Sequence, residues 1–197
     1  MKFHPILFSG PMVRAILEGR KTQTRRMMKP QPYRSGTGTW FWSPNKNVHH
    51  VGDDGMFQFV VSSMSCPYGR PGDRLWVRET FAPNLVLPLS DREPGDFIYR
   101  ADLQGGVTKY SAQWKPSIFC TRAASRITLE IVAVRVERLN DITEADAMAE
   151  GPTPSIVGAD LDHIKWRAGY ATLWEIINGA GSWDKNPWVW VIEFKRI

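Results

Sequence analysis

Gly19-Arg20-Lys21-Thr22-Gln23-Thr24-Arg25-Arg26 packs four cations and two hydroxyls into eight residues. Lys21 and Thr24 stand three apart, a spacing at which two side chains meet on one side of a helical turn. A lysine with a depressed pKa can take the proton of a threonine hydroxyl, the logic of the Ser-Lys variants of the catalytic triad. Arg20, Arg25 and Arg26 push in that direction, because neighbouring positive charge disfavours the ammonium form. The same residues also fit a solvated lysine and a threonine bonded to local backbone.

The charge extends on both sides. From Arg14 to Arg34 there are seven cations (Arg14, Arg20, Lys21, Arg25, Arg26, Lys29, Arg34) against Glu18 alone, a net +6 in a chain whose total is +5. The remainder of the chain is therefore close to neutral. Clustered cations attract phosphate, which makes Arg20, Arg25, Arg26 and Lys29 candidate nucleic-acid contacts. A solvated basic turn is the alternative.

Upstream, Phe3 to Phe8 reads as a short strand and Ser9-Gly10 as a turn. Pro11 suits the first turn of a helix. Met12, Val13, Ile16 and Leu17 recur at helical spacing, which predicts a helix from 11 to about 18, with Gly19 as its stop. Downstream, residues 30–71 are punctuated throughout by Pro and Gly and read as an insertion. Trp40-Phe41-Trp42 and Met56 to Val61 are strand candidates within it, around a turn at Asp54-Gly55. Arg74 to Phe81 reads as a strand. Residues 83–125 form a second insertion around a short strand at Phe97 to Ala101. Ile127 to Val136, rich in β-branched residues, is the strongest strand and the expected centre of the sheet. Asp141 or Thr143 then caps a helix ending near Glu150, and Asp141 with Glu144 has the form of a capping box. A further helix is expected from about Leu161 to Ile177. Trp188 to Lys195 alternates as a last strand. Strands with interspersed helices fit a single α+β domain built as a mixed barrel, not a regular βαβ series.

Several function classes are excluded. With 197 residues, 43% apolar and 23% charged, the chain can bury a core. It has no run of 18 apolar residues, so no membrane-spanning helix is expected. The N-terminal residues lack a signal-peptide pattern, and Cys66 and Cys120 are too few for a disulfide framework, so a reduced, cytoplasmic protein is expected. There is no Gly-rich phosphate loop, H-E-x-x-H, C-x-x-C or G-x-S-x-G. His4, His49, His50 and His163 lack metal-ligand spacing, and no metal or other cofactor is expected.

The basic segment resembles the G-x-K-x-x-E-x-R signature of the ASCH domain family, small β-barrels related to the PUA RNA-binding domain. Gly19, Lys21 and Arg26 match it, and Thr24 stands where the family has glutamate. A branch of that family, the bacterial N(4)-acetylcytidine amidohydrolases, also reads G-R-K-T-x-T-x-R and uses a lysine, a threonine and a distal glutamate as its triad. Lys21 and Thr24 take the first two places. The stretch Thr143-Glu144-Ala145-Asp146-Ala147-Met148-Ala149-Glu150 is similar to the T-E-x-x-A-x-x-E helix that supplies the third, which implies Glu150. Val191 to Lys195 resembles the family's last strand. The two insertions make the whole chain look like the longer ASCH proteins of bacteriophages and prophages. The resemblance implies a PUA-like mixed β-barrel with about three helices and long loop or hairpin insertions.

A second group lies on the 74–81 strand. Alternation puts Glu79 on the apolar side, where a carboxylate needs a cation such as Lys21 or an arginine. Trp76, Arg78 and Glu79, with Arg26, are candidate substrate-binding residues. Trp40, Trp42, Trp76 and Trp114 could stack bases, although large aromatics are usually core. The function expected is metal-independent amide hydrolysis on an N(4)-acylated cytosine nucleoside or a related modified base. Lys21 is the base, Thr24 the nucleophile, Glu150 the orienting carboxylate, and Arg26 or Arg78 the oxyanion partner. The alternative is an RNA-binding module or ribonuclease using the basic segment.

Overall fold

A computed structural model describes residues 1–42, 49–52, 66–83, 96–103, 113–154 and 165–197. The fold is mixed α+β. Its main sheet is assembled from β1 (Phe3–Leu7), β2 (Gln23–Met27), β6 (Arg74–Arg78), β9 (Thr128–Arg138) and β10 (Trp188–Arg196), in the order β1-β6-β9-β10-β2. Only the β1–β6 pair is parallel. β9 sits in the middle, as its β-branched sequence predicts. Among the described residues the sheet is open, with β1 and β2 as its edges. Three strands of the first insertion, β3 (Tyr33–Arg34), β4 (Trp40–Trp42) and β5 (His49–Gly52), form a second sheet. The expected turn at Asp54-Gly55 and the strand at 56–61 lie outside the described residues.

Three α-helices are described: α1 (Gly10–Leu17), α2 (Glu144–Ala149) and α3 (Lys165–Asn178). None is long and apolar enough to cross a membrane. α2 is capped by Thr143, whose hydroxyl accepts from the Asp146 amide. Asp146 answers the Thr143 amide, so the capping box is Thr143–Asp146 and not Asp141–Glu144. Leu161 to Ile164 of the third expected helix lie outside the described residues.

β10 divides the interior. Trp188, Trp190, Ile192 and Phe194 pack into a core with Ile6, Leu75, Leu129 and Ile131. Val189 and Val191 face the other way, against Tyr170 and Trp174 of α3. Trp40 and Trp42 join the first core, edge-on to Trp188 and Trp190, so these two tryptophans are structural and not base-stacking surfaces.

The strand read as Arg74 to Phe81 ends at Arg78. Phe81–Pro83 (β7) pairs instead with Phe97–Tyr99 (β8) in a separate two-stranded sheet. Phe81 is buried there with Cys120 and Ala124. Its apolar surface is satisfied by that small core, which draws the chain off the main sheet. Cys66 and Cys120 are both free and buried.

Candidate active site

The segment Gly19 to Arg26 is not a helical turn. Its second half is strand β2, antiparallel to β10, with Thr24 opposite Ile192, Arg25 opposite Val191 and Arg26 opposite Trp190. Directly opposed residues share a face of the sheet. Thr24 and Arg26 therefore take the face of the first core, and Arg25 the face that meets the helices.

Lys21 sits just before β2, where three elements close on it. Its amide donates to the Ala15 carbonyl at the end of α1, and the Thr22 amide donates to Ala149 at the end of α2. Gly151, with φ +73°, makes this approach possible. A Cβ there would lie 2.9 Å from the Cβ atoms of both Ala15 and Lys21.

The Lys21 side chain is fully buried, and Nζ donates to Glu150 Oε2 at 2.7 Å and to the Glu150 carbonyl at 2.8 Å. Burial is the main influence and lowers the Lys21 pKa. The charge and hydrogen bond of Glu150 oppose it, and Arg26 and Arg25 lower it further. Glu150 is shared, since Arg25 Nη1 donates to its Oε1 at 3.2 Å. Arg25 is also tied to Glu137 through Nε at 2.9 Å and Nη2 at 2.5 Å. Arg135 reaches Glu137 and Asp146, both at 3.0 Å, and Glu193. Burial opposes ionisation of Asp146. The bonds from Thr143 and Gln23 and the charges of Arg25 and Arg135 outweigh it, and its pKa falls to about 2.

Thr24 is buried and, with Glu150, lines a small cavity of about 60 Å³. Met12, Leu173 and Ile177 supply apolar wall, and Arg26 and Trp174 complete much of the rest. Trp174 Nε1 and Arg26 Nε are both buried without a hydrogen-bond acceptor. An orphaned buried donor costs about 1–3 kcal/mol. Arg26 is otherwise held by the Leu7 carbonyl at 2.6 Å and lies 5.2 Å from the centre of the Phe8 ring. Lys21 Nζ is 5.6 Å from the same centre.

A larger cleft of about 880 Å³ opens beside this cavity, and Met12, Arg26 and Ile177 line both. Glu79 is in its wall, 1% exposed, and its partner is Arg126 (2.9 and 3.1 Å), not Lys21. Burial raises the Glu79 pKa and Arg126 opposes that.

The other expected site residues are scattered. Arg25, a candidate phosphate contact, is buried among carboxylates and has no surface to offer a nucleic acid. Arg20 is exposed but paired with Glu18, and Lys29 is exposed. Trp76 and Arg78 lie on the opposite side of β6 from the buried Leu75 and Val77, Arg78 stacked over the Trp76 ring and donating to the Ile118 carbonyl. They line neither of these two cavities, whereas Arg26, the other expected oxyanion partner, lines both. Among the described residues no three His, Cys, Asp or Glu side chains converge as a metal would require.

Trp174, Gly151 and Arg126 were not singled out from the sequence. Trp174 falls within the helix expected from about Leu161 to Ile177, and Gly151 directly follows the helix expected to end near Glu150. Comparison with models of known families, with curated proteins and with solved structures returned no match.

Proposed function

We propose that this chain is a PUA-like, ASCH-type amidohydrolase that removes the acyl group from N(4)-acylated cytosine or a related modified base. One observation carries the reading. Lys21 and Glu150, 129 residues apart, form a buried ion pair next to a cavity that Glu150 shares with Thr24. A buried lysine with a lowered pKa is costly, and such groups concentrate at functional sites.

A cavity of about 60 Å³ suits an acyl group of a few heavy atoms, with its alkyl end against Met12 and Ile177. In its neutral form Lys21 takes the Thr24 hydroxyl proton as Oγ1 attacks the acyl carbonyl. The carbonyl oxygen gains negative charge, and Arg26 Nε–H and Trp174 Nε1–H are the donors at hand to stabilise it. The C–N4 bond breaks, and the leaving amine receives the proton from Lys21. Water then cleaves the acyl–Thr24 ester and restores the hydroxyl. Glu150 holds Lys21 in place throughout.

The test is release of cytidine from N(4)-acetylcytidine by the purified protein. Lys21→Met and Thr24→Ala should each remove most of the turnover, and the double variant should lose little more, because the residues act as a unit. Thr24→Ala with wild-type turnover would overturn the nucleophile assignment.

A second reading, an RNA-binding module or ribonuclease, draws on a different surface. Arg74, Trp76 and Arg78 line one side of β6, with Arg122 stacked 3.5 Å above the neighbouring Phe3 ring. Alternating cations and aromatics suit a single strand. A wild type that hydrolyses no acylated cytosine but binds or cuts RNA, with affinity falling steeply in salt, would transfer the function to this face.

A further inference from the structure

The 880 Å³ cleft is far larger than acyl transfer needs and falls in the range that holds a whole small ligand. Its charge is one-sided. Arg14 of α1, Arg26 of β2 and Arg100, on the turn after β8, all reach its wall from separate elements. Glu79 is the only carboxylate in that wall among the described residues, and Arg126 already holds it through both oxygens. Arg14 is positioned by one bond, from Nη1 to the Ala101 carbonyl at 3.2 Å, and Arg100 is exposed. Trp114 adds a half-exposed aromatic surface. Three arginines thus line a cleft that shares Arg26 with the acyl-sized cavity, and clustered guanidinium groups attract anions.

We infer that the substrate is a phosphorylated cytosine nucleotide, its phosphate held by Arg14 and Arg100 while the base reaches past Arg26 toward Thr24. The inference rests on the reading above for the cytosine base and for which end of the ligand enters the small cavity. Guanidinium pairs with phosphate through two parallel charge-assisted bonds, and that geometry separates a nucleotide from a neutral nucleoside. The phosphate could belong to a mononucleotide or to an RNA strand.

Calorimetric titration with cytidine, cytidine 5′-monophosphate and a short cytidine-containing RNA tests this without relying on catalysis. In the wild type the monophosphate or the RNA should bind about tenfold or more tighter than cytidine, which corresponds to about 1.4 kcal/mol. Tighter binding of the RNA than of the monophosphate assigns the phosphate to a strand, and the reverse to a mononucleotide. Arg14→Ala with Arg100→Ala should bring the ratio to within about twofold. Arg100→Glu, a change at an exposed position, should do so too if Arg14→Ala disturbs folding. Equal affinity for all three ligands, no binding of any, or a ratio unchanged in both variants would overturn the inference. A phosphate preference in a protein that hydrolyses no acylated cytosine would sink the amidohydrolase reading and leave the cleft assignment standing.

Discussion

Replacing Glu150 by leucine removes the only carboxylate paired with Lys21 among the described residues, while Arg25 keeps Glu137 at 2.5 Å. The cost therefore falls on the lysine, whose side chain has no exposed surface. Breaking a buried pair from one side destabilises by about 3–5 kcal/mol. A ceiling follows from the lysine itself, because the fold can always hold it neutral. At pH 7, neutralising a group whose ordinary pKa is 10.5 costs about 5 kcal/mol, at 1.36 kcal/mol per unit. At pH 9 the same step costs about 2 kcal/mol. The sign is set by linkage. A lysine whose pKa is lowered in the folded state binds its proton more readily when unfolded, so stability rises with pH up to about 10.5. With Glu150 gone the folded variant holds Lys21 neutral, so the stability of Glu150→Leu should rise by up to about 1.4 kcal/mol per pH unit between 7 and 9. Lys21→Met should cost less, because Glu150 keeps Arg25 at 3.2 Å. The double variant Lys21→Met with Glu150→Leu should be closer to the wild type than Glu150→Leu alone, since an apolar pair of similar volume is often neutral or stabilising. Urea unfolding at pH 7 and pH 9 measures all of these. At neutral pH the single variant should lose roughly 6–20 °C in Tm, at 2–4 °C per kcal/mol for a chain of this size. A penalty below about 1 kcal/mol at pH 7, or a variant whose own stability does not rise between pH 7 and pH 9, would refute the claim that Lys21 is buried and dependent on Glu150.

Trp174→Phe keeps an aromatic ring, smaller than the indole, and removes the orphaned Nε1–H, so kcat should fall by about 10²–10³ with KM nearly unchanged, as for loss of one oxyanion donor. Wild-type kcat in steady-state kinetics would remove Trp174 from the mechanism. Gly151→Ala forces a Cβ to within 2.9 Å of Ala15 and Lys21 at a positive φ. It should cost about 1–3 kcal/mol in thermal unfolding and lower activity by displacing Lys21. Unchanged stability and turnover would mean that this packing does not set the Lys21 position.

The local patterns of this chain were legible without coordinates. Apolar spacing placed α1, the β-branched run placed β9 at the centre of the sheet, and the Trp188 to Lys195 alternation marked β10 as a strand, although the two cores it serves appeared only in the structure. These patterns depend on near neighbours and on the period of each element, which a sequence displays directly. Thr143 was one of two cap candidates, with the capping box read at Asp141–Glu144 instead of Thr143–Asp146, and the burial of Glu79 followed from strand alternation. Which cations stay solvated was not readable. Lys21 and Arg25 look like members of one basic surface, yet both are buried because Glu150 and Glu137 reach them across more than 100 residues of chain. The breadth of the cleft, the orphaned donor of Trp174 and the tight approach at Gly151 also depend on elements distant in sequence. A charged side chain's state depends on which partner the fold delivers and how much water it removes, and only the tertiary structure fixes both.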